Sequence, residues 1–320
     1  MEKTNRKKWV AGVTSLTAFS TVILLAAGAL VTGTGSGLAV PDWPLAFGQF
    51  FPPMVGGVFY EHGHRLIAGF VALLTIVQLF VILRFEERTW VKKLAFLAVA
   101  LVLTQATLGG LTVLFLLPKA VSIAHACLAQ TYFCNAVILM TVTSSVWETP
   151  FTCEPDNSRF PLRWLGTLVI LGFFVQLLFG ATMRHFGAGL AIPDFPLSFG
   201  RWVPSQWTFP IAIHFAHRMG AFVMVGLVAA LVARVYRKYW NQFTLLLYSG
   251  ALMGFVWIQV MLGAMVIWLR RPISLTTIHL VVGAMCLASA VALTVQLFKA
   301  QKESTAKSNA VPFGVETAPV

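Results

Sequence analysis

The sequence predicts an all-α integral membrane protein with eight transmembrane helices, arranged as two four-helix bundles that are related by a parallel internal repeat. Three observations support this fold class. Of the 320 residues, 58% are hydrophobic and only 11% are charged, whereas about a quarter of the residues of soluble domains are charged. The apolar residues form eight long runs, and the second half of the chain repeats motifs of the first half.

A helix that crosses about 30 Å of hydrocarbon needs ~20 mostly apolar residues, and eight runs of this length are present. They lie near 10–31, 65–83, 94–117, 121–146, 164–183, 215–233, 243–269 and 274–297. These spans divide the chain into a cytoplasmic N-terminus, a first bundle, a cytoplasmic linker, a second bundle and a tail, at 1–9, 10–146, 147–163, 164–297 and 298–320. We expect the tail to be disordered in the cytoplasm, because it is polar.

The distribution of basic residues predicts the orientation of these spans. With the N-terminus inside, 16 Lys and Arg residues fall on the inner side and seven on the outer side. Because cytoplasmic loops carry an excess of these residues, we expect a multi-pass protein of the cell membrane with both termini in the cytoplasm. The long connections 32–64 and 184–214 then lie outside, and their aromatic residues predict short interfacial helices that cover the bundles as lids.

The net charge of +12 does not indicate a nucleic-acid binder. It arises because the chain has only 11 acidic residues, and the basic residues form no dense basic face. The four cysteines follow no metal-ligand spacing, so we expect them to be packing residues without a disulfide framework. They are Cys127, Cys134, Cys153 and Cys286.

An internal repeat relates the two halves. The segment GLAVPDWPLAFG at 37–48 matches GLAIPDFPLSFG at 189–200 in nine of twelve positions, with an offset of 152 residues. Since each half has an even number of spans, both halves enter the membrane in the same direction. Asp42 and Asp194 occur in both copies, so we expect them to serve turns. At offsets of 153 and 154 the match continues through His64 with His217, Arg65 with Arg218, Gln105 with Gln259, Gly109 with Gly263 and His125 with His279.

Four of these residues are histidines at one depth. His64 and His125 lie near the outer ends of two spans, and His217 and His279 repeat this arrangement. Ionisable residues inside a membrane are costly unless they have a partner. Two neutral imidazoles are suitable axial ligands of a heme iron, and a four-helix bundle accepts the flat ring. Copper or zinc would need further ligands, of which the spacing offers few.

A structural alternative is that these histidines form hydrogen bonds between helices. Because four histidines recur in two repeats, we favour iron ligation for the paired set. His62 and His185 have no such pairing, and we expect them to be structural. The role of His214 stays open.

Charged residues beside the histidines suggest further roles. Arg65 and Arg218 directly follow ligand candidates and are candidate partners of anionic heme propionates, although interfacial arginines also contact lipid. Only the first half has a carboxylate three residues before the ligand, at Glu61, where the second half has His214. Glu61 is a candidate for proton transfer or electrostatic stabilisation beside His64. The alternatives are that Glu61 caps its helix or pairs with Arg65 at i+4.

Together these motifs resemble the heme A synthase family. The resemblance covers roughly residues 10–297 and includes the TGSGL and PDWP segments of the first outer loop at 34–38 and 41–44. The order of the site motifs carries it: ExxHR at Glu61 to Arg65, then His125, then HR at His217 and Arg218, then His279.

The resemblance implies an oxidoreductase that oxidises the C8 methyl group of heme O to a formyl group and so gives heme A for terminal oxidases. It implies that His64 and His125 hold the substrate heme, that His217 and His279 hold a resident heme b, and that Glu61 is catalytic. It also implies work beside heme O synthase, which is a protoheme farnesyltransferase, and in cytochrome oxidase assembly. Because residues 32–64 and 184–214 contain no cysteine, the chain resembles the cysteine-free branch of the family.

Two other function classes stay open on the residues alone. One is a di-heme b-type membrane cytochrome that passes electrons to or from quinone, and the other is a parallel-repeat transporter. The single carboxylate at Glu61 favours an enzyme over an electron carrier. A transporter would place polar residues near the midplane, whereas the ionisable residues here lie near the outer face. The sequence leaves the electron acceptor open, and a homo-oligomer is compatible with it.

Overall fold

The computed structural model describes residues 3–310. Within this part of the chain, eight helices are long and apolar enough to cross a membrane, as predicted. They are α1 Lys3–Gly33, α2 Gly57–Phe85, α3 Thr89–Leu114, α4 Lys119–Thr143, α5 Leu162–His185, α6 Phe209–Lys238, α7 Phe243–Trp268 and α8 Ile273–Ala310. The all-α class and the multi-pass membrane character are therefore confirmed.

Two helices begin earlier than the apolar runs predict. Helix α2 begins at Gly57 and α6 at Phe209, so His64 and His217 lie about two turns inside their helices rather than at or near the first residue. The side chain of Thr208 caps α6 by accepting a hydrogen bond from Ile211 N, a favourable start for a helix. The polar residues of these extra turns have partners in the outer loops, which is why the helices extend beyond the apolar runs.

The helices contact one another in two closed rings. In the first half α1 packs against α2, α2 against α3, α3 against α4, and α4 against α1, while α5, α6, α7 and α8 do the same in the second half. The halves meet through α1, α4, α5 and α8. These are the contacts expected of two four-helix bundles, and the parallel-repeat relation between them stays a prediction.

Small and medium apolar side chains fill the boundary between the halves. Phe133 and Val137 of α4 are buried against Ala284, Leu287 and Ala288 of α8. Small residues allow helices to approach closely, and in a membrane this packing replaces the hydrophobic driving force that water provides elsewhere. The boundary is thus a packed interface, with no lipid between α4 and α8 at these residues.

The outer loops contain turns, and the prediction of interfacial helices over the bundles is wrong. Residues 34–56 form turns around a single bridge between Ala46 and Gln49, and residues 186–208 contain one short 3₁₀ turn, Ala188–Leu190. The reason is that Asp42 accepts hydrogen bonds from Phe47 N at 2.7 Å and Gly48 N at 2.8 Å. A helix would place those N–H groups on backbone carbonyls instead.

The second loop repeats this turn. Asp194 accepts hydrogen bonds from Phe199 N and Gly200 N, each at 2.8 Å, so the predicted turn role of both aspartates is confirmed. The N–H groups of Gly48 and Phe47 hold the pKa of Asp42 below its usual value. Burial would raise the pKa of Asp194, but the N–H groups of its own turn outweigh that effect and lower it.

The prediction of a disordered tail from residue 298 is wrong over residues 298–310, because α8 continues to Ala310. Polar side chains of this extension bind the linker before α5. Lys299 Nζ donates to Thr149 O at 2.6 Å, and Glu303 Oε2 accepts from Phe151 N at 2.8 Å. The linker therefore supplies the partners that allow a polar segment to stay helical, and residues 311–320 lie outside the described residues.

Candidate functional site

The histidines that the repeat matches come together as two pairs. His64 of α2 and His125 of α4 are close enough to interact electrostatically, and so are His217 of α6 and His279 of α8. All four residues are half-buried, and each lies about two turns from the N-terminal end of its helix. The structure therefore brings together the residues that the sequence analysis paired.

A glycine on the neighbouring helix makes room for each imidazole. A methyl group built at any of these glycines would lie only 3.1 to 3.3 Å from the Cε1 atom of a histidine ring. Such a distance is tighter than ordinary van der Waals contact, so a larger residue at any of these positions would require the ring to shift by a few tenths of an ångström. The pairs are Gly28 with His64, Gly109 with His125, Gly180 with His217 and Gly263 with His279.

Glutamines orient three of the four rings. Gln105 Nε2 lies 3.2 Å from His125 Nε2, and Gln259 Nε2 lies 3.2 Å from His279 Nε2. Gln176 Nε2 lies 3.1 Å from His217 Nδ1 and donates to His217 O at 2.7 Å. The repeat match between Gln105 and Gln259 was the sequence signal for this role, whereas Gln176 gave none.

His64 is the exception. The residue that matches Gln176 at the offset of 152 is Leu24, and His64 meets the backbone of Leu24 instead of a glutamine amide. One ring of the first pair therefore lacks the side-chain partner that the other three have, so fewer contacts fix its orientation.

The histidine rings fit the axial ligation of a heme iron. The Nδ1 atoms of His64, His125 and His279 are buried and have no hydrogen-bond partner among the described residues, and in His217 the contact of Gln176 with Nδ1 leaves Nε2. A buried polar atom without a partner costs about 1–3 kcal/mol, so the Nδ1 atoms of His64, His125 and His279 favour a partner from outside the described residues. Within residues 3–310 no group of three or more His, Cys, Asp and Glu side chains could hold a bare metal ion. The donor set is a pair of imidazoles at each site.

Glu61 lies beside the first pair of histidines and is held by a salt bridge and a backbone hydrogen bond. Its side chain is 5% exposed, Oε1 accepts from Arg65 Nη2 at 2.6 Å, and Oε2 accepts from Val40 N at 2.8 Å. The i+4 salt bridge considered as an alternative is therefore present. It does not exclude a role in proton transfer, because the carboxylate still lies on the face of α2 that carries His64.

The second half places an imidazole at the position of this carboxylate. His214 Nδ1 lies 3.2 Å from Ile192 N and His214 Nε2 lies 3.2 Å from Arg218 Nε, and the neutral ring accepts from one of these two donors. Ile192 and Arg218 match Val40 and Arg65 in the repeat. In the first half the two donors face a carboxylate, and in the second half the matching donors face a neutral imidazole. The asymmetry predicted at this position is therefore a difference in charge.

Arg65 and Arg218 hold the outer loops in place. Arg65 donates to Asp42 O, Leu45 O, Val40 O and Glu61 at 2.6 to 3.1 Å. Arg218 donates to Leu197 O at 2.9 Å and Ile192 O at 3.0 Å. Propionate binding by these arginines stays a prediction, and for Arg65 it would require a loop carbonyl to give up its donor.

The remaining candidates take structural positions. His62 lies with Nε2 2.9 Å from Phe50 O and is buried, as a structural histidine would. The four cysteines are free, and Cys134 and Cys286 are buried, in agreement with a packing role.

The fold and the site define an integral membrane protein with two pairs of histidines near the same ends of its two bundles, and paired histidines in a helix bundle are typical of heme proteins. The chain belongs to the COX15-CtaA family of cytochrome oxidase assembly proteins, whose model matches residues 11–291. The resemblance noted in the sequence is thereby confirmed.

Several relatives share most of this length. The heme A synthase of Alkalihalophilus pseudofirmus is 28% identical over 269 residues, which cover 82% of this chain and 89% of the relative. That of Halalkalibacterium halodurans is 32% identical over 237 residues, covering 70% and 76% of the two chains. That of Symbiobacterium thermophilum is 33% identical over 219 residues, covering 66% and 71%.

Proposed function

We propose that the protein is a heme A synthase, an oxidoreductase that converts the C8 methyl group of heme O into a formyl group. The observation that carries the proposal is the pairing of two matched bis-histidine sites of which only the first has a buried carboxylate, Glu61. The relatives named heme A synthase, which align with most of the chain, support the same activity. Proton removal and electron removal then have separate sites.

The residues of the first pair hold and orient the substrate. His64 and His125 ligate the heme O iron, and the outer loop held by Arg65 lies over the site with the ring of Trp43 against Gly110 of α3. Glu61 holds a negative charge one turn from His64, where it accepts a proton from the reacting group or stabilises positive charge that develops there.

The second pair holds a resident heme b. A heme b bound by His217 and His279 supplies electron transfer, which an oxidation at the first site requires. Gln176 contacts the ring of His217 and Gln259 contacts the ring of His279, so both rings have a glutamine partner. A fixed ligand geometry suits a permanent cofactor. In the substrate site only His125 has a glutamine partner, and His64 has none. A less constrained ligand suits a heme that must enter and leave.

The deciding experiment is extraction and chromatography of hemes from cells that express this chain together with a heme O synthase. We expect a formyl heme that is absent from cells without the chain. If heme O accumulates unchanged while the purified protein shows a bis-histidine spectrum, the protein is a di-heme cytochrome. The near-identical surroundings of His125 and His279 are the observation that favours that second candidate.

Substitution of the carboxylate tests its role. Glu61→Gln keeps one acceptor oxygen, for Val40 N or Arg65 Nη2, and removes the charge. We expect it to slow formyl production roughly 100-fold or more with heme content largely unchanged. The matched control is His214→Gln in the second half, which keeps one acceptor for Ile192 N or Arg218 Nε and should still form product. Loss of all heme from Glu61→Gln would make Glu61 a structural residue.

Substitution of each histidine tests the division between the two sites. His217→Ala and His279→Ala should remove the resident heme b, while His64→Ala and His125→Ala should mainly affect the substrate heme. Absorption spectra of the four purified variants measure this. Equal heme content in all four would contradict the assignment.

The orientation and partners follow from the same proposal. The protein lies in the cell membrane with both termini in the cytoplasm, so the bis-histidine sites lie toward the outer face. Heme O synthase supplies the substrate, and the product is used in cytochrome oxidase assembly. Single cysteines placed at exposed Phe50 and exposed Trp240 in a cysteine-free variant should react with an impermeant maleimide in intact cells only at residue 50. Labelling at residue 240 alone would reverse the orientation.

A further inference from the structure

The outer end of α5 breaks the internal repeat. Arg184 and His185 end this helix, and the residues that match them in the first half at the offset of 152 are Thr32 and Gly33. The first half therefore has no cation at the corresponding place. This asymmetry lies on the opposite half of the molecule from Glu61.

The side chain of Arg184 crosses the boundary between the halves. Its Nη2 atom donates to Ala29 O of α1 at 2.8 Å. Ala29 directly follows Gly28, the glycine that lies against the ring of His64. A residue of the second half thus reaches the helix that supports a ligand of the first site.

The neighbouring residue points to the same site. His185 is close enough to His125 to interact electrostatically, and His125 is the other ligand of the first pair. The last turn of α5 therefore adjoins both histidines that hold the substrate heme.

The charge around Arg184 is not balanced by an acid. Arg184 is close enough to Arg271 for the two guanidinium groups to repel, and the ion pairs between described residues include neither arginine. The acids of the described outer segments already have partners, since Asp42 and Asp194 bind loop N–H groups and Glu61 binds Arg65. Two half-buried or exposed cations at one place, with no acid, form a favourable environment for an anion from outside the chain.

We propose that Arg184 binds a propionate of the substrate heme in the first site, from the opposite half of the molecule. The inference rests on the proposed function, which makes that heme the substrate. Arginine takes a carboxylate with two parallel hydrogen bonds, and only one N–H bond of Arg184 is used by the described residues, to Ala29. Arg65, by contrast, has committed its Nη hydrogens to loop carbonyls and Glu61.

The test compares heme O with its dimethyl ester, which lacks the propionate charges. Both are titrated into protein purified from cells that make no heme O, and binding at the first site is defined as the absorption change that His64→Ala removes. We expect Arg184→Gln to weaken heme O binding about tenfold, the loss of one charge-assisted pair, and to leave the affinity for the ester unchanged. Arg184→Lys should recover part of the affinity, and Arg201→Gln, which removes an exposed cation of the second outer loop, should change nothing.

Three results would overturn the inference. If Arg184→Gln weakens acid and ester equally, Arg184 is a structural residue. If it weakens neither, the anion at Arg184 has another source, such as a lipid phosphate. If the variant loses the resident heme b instead, Arg184 belongs to the second site. Absence of any His64-dependent binding in the unmodified protein would instead contradict the proposed function itself.

Discussion

At the scale of single residues, the site depends on contacts between imidazole rings and glycines. Each of the four rings lies against a helix at a position where a side chain as small as alanine would be 3.1 to 3.3 Å from the ring. A ring that lies so close to a backbone has few alternative rotamers. The glycines therefore orient the ligands as much as the glutamines do.

This close approach can be tested at the second site. Gly180→Leu should push the ring of His217 from its place and lower heme b affinity roughly tenfold, in line with the cost of overpacking. The pyridine hemochrome content of the purified protein measures the loss. Gly226→Leu is the matched control, because Gly226 on α6 faces open space, and an equal loss in that variant would show that the effect is not local to the ring.

A second residue-scale prediction concerns Asp42 and pH. Because backbone N–H groups lower its pKa in the folded loop, the carboxylate stabilises the turn at every pH above the unfolded value of 3.8. That contribution is lost as the pH falls through the lower, folded value. Protection of the Gly48 amide against hydrogen exchange, corrected for the intrinsic rate, should therefore be high at pH 6 and fall in acid.

The control for this prediction is Asp42→Asn, which has no ionisable group at this position. In that variant Gly48 protection should already be low at pH 6 and nearly independent of pH. A pH profile identical to that of the unmodified protein would contradict the role of Asp42.

At the scale of elements, α8 does more than span the membrane. Its polar extension provides partners for the backbone of the linker, through Lys299, Gln301, Glu303 and Lys307. The linker between the halves has little regular structure of its own beyond the 3₁₀ turn Ser145–Glu148. The extension thus ties the linker to the second bundle.

Removal of the extension measures this contribution. A chain that ends after Phe298 loses these four hydrogen-bonded side chains, and we expect it to unfold about 2–4 kcal/mol more easily, at about 1 kcal/mol per bond. A chain that ends after Ala310 keeps all four and is the control. Urea unfolding in detergent, with proteolysis of the linker as a second measurement, compares the two, and equal stability would show that the extension is dispensable.

At the scale of the whole molecule, the two halves are joined by α8 packing against α1 and α4, and by α4 packing against α5. The buried residues at this boundary include Phe133, Val137 and Ala288. Because the proposed substrate and cofactor sites lie in different halves, this interface sets their separation and relative orientation. Electron transfer between them depends on that geometry.

Overpacking the boundary should weaken the molecule as a unit. Ala288→Phe adds a large ring to a residue that is 5% exposed, and we expect a loss of about 1–3 kcal/mol in unfolding free energy. Ala124→Phe on the exposed face of α4 is the control and should have little effect. Thermal unfolding in detergent measures the difference. Unchanged stability of Ala288→Phe would mean that the interface has room for the added ring and is not closely packed there.

Much of this molecule could be predicted from local pattern. Apolar run length predicts a span because the thickness of the bilayer imposes it, and all eight spans were predicted. The predictions that were wrong are the interfacial helices in the outer loops, where Asp42 and Asp194 form turns instead, and the disordered tail after residue 297, whose structure depends on partners distant in the chain. Lys299 stabilises the helical extension through a bond to Thr149 O, a residue 150 positions away that no local pattern records.

The sequence by itself determined the membrane class, the eight helices, the internal repeat and the four histidines, because hydrophobicity and repetition are properties of the chain alone. Only the tertiary structure decided that Arg65 and Arg218 hold loops, that His64 lacks a glutamine partner and that Arg184 reaches across to α1. The physical reason is that a hydrogen bond is fixed by which donors and acceptors the folded helices bring within about 3 Å. Residues 29 and 184 become neighbours only when the two halves pack together.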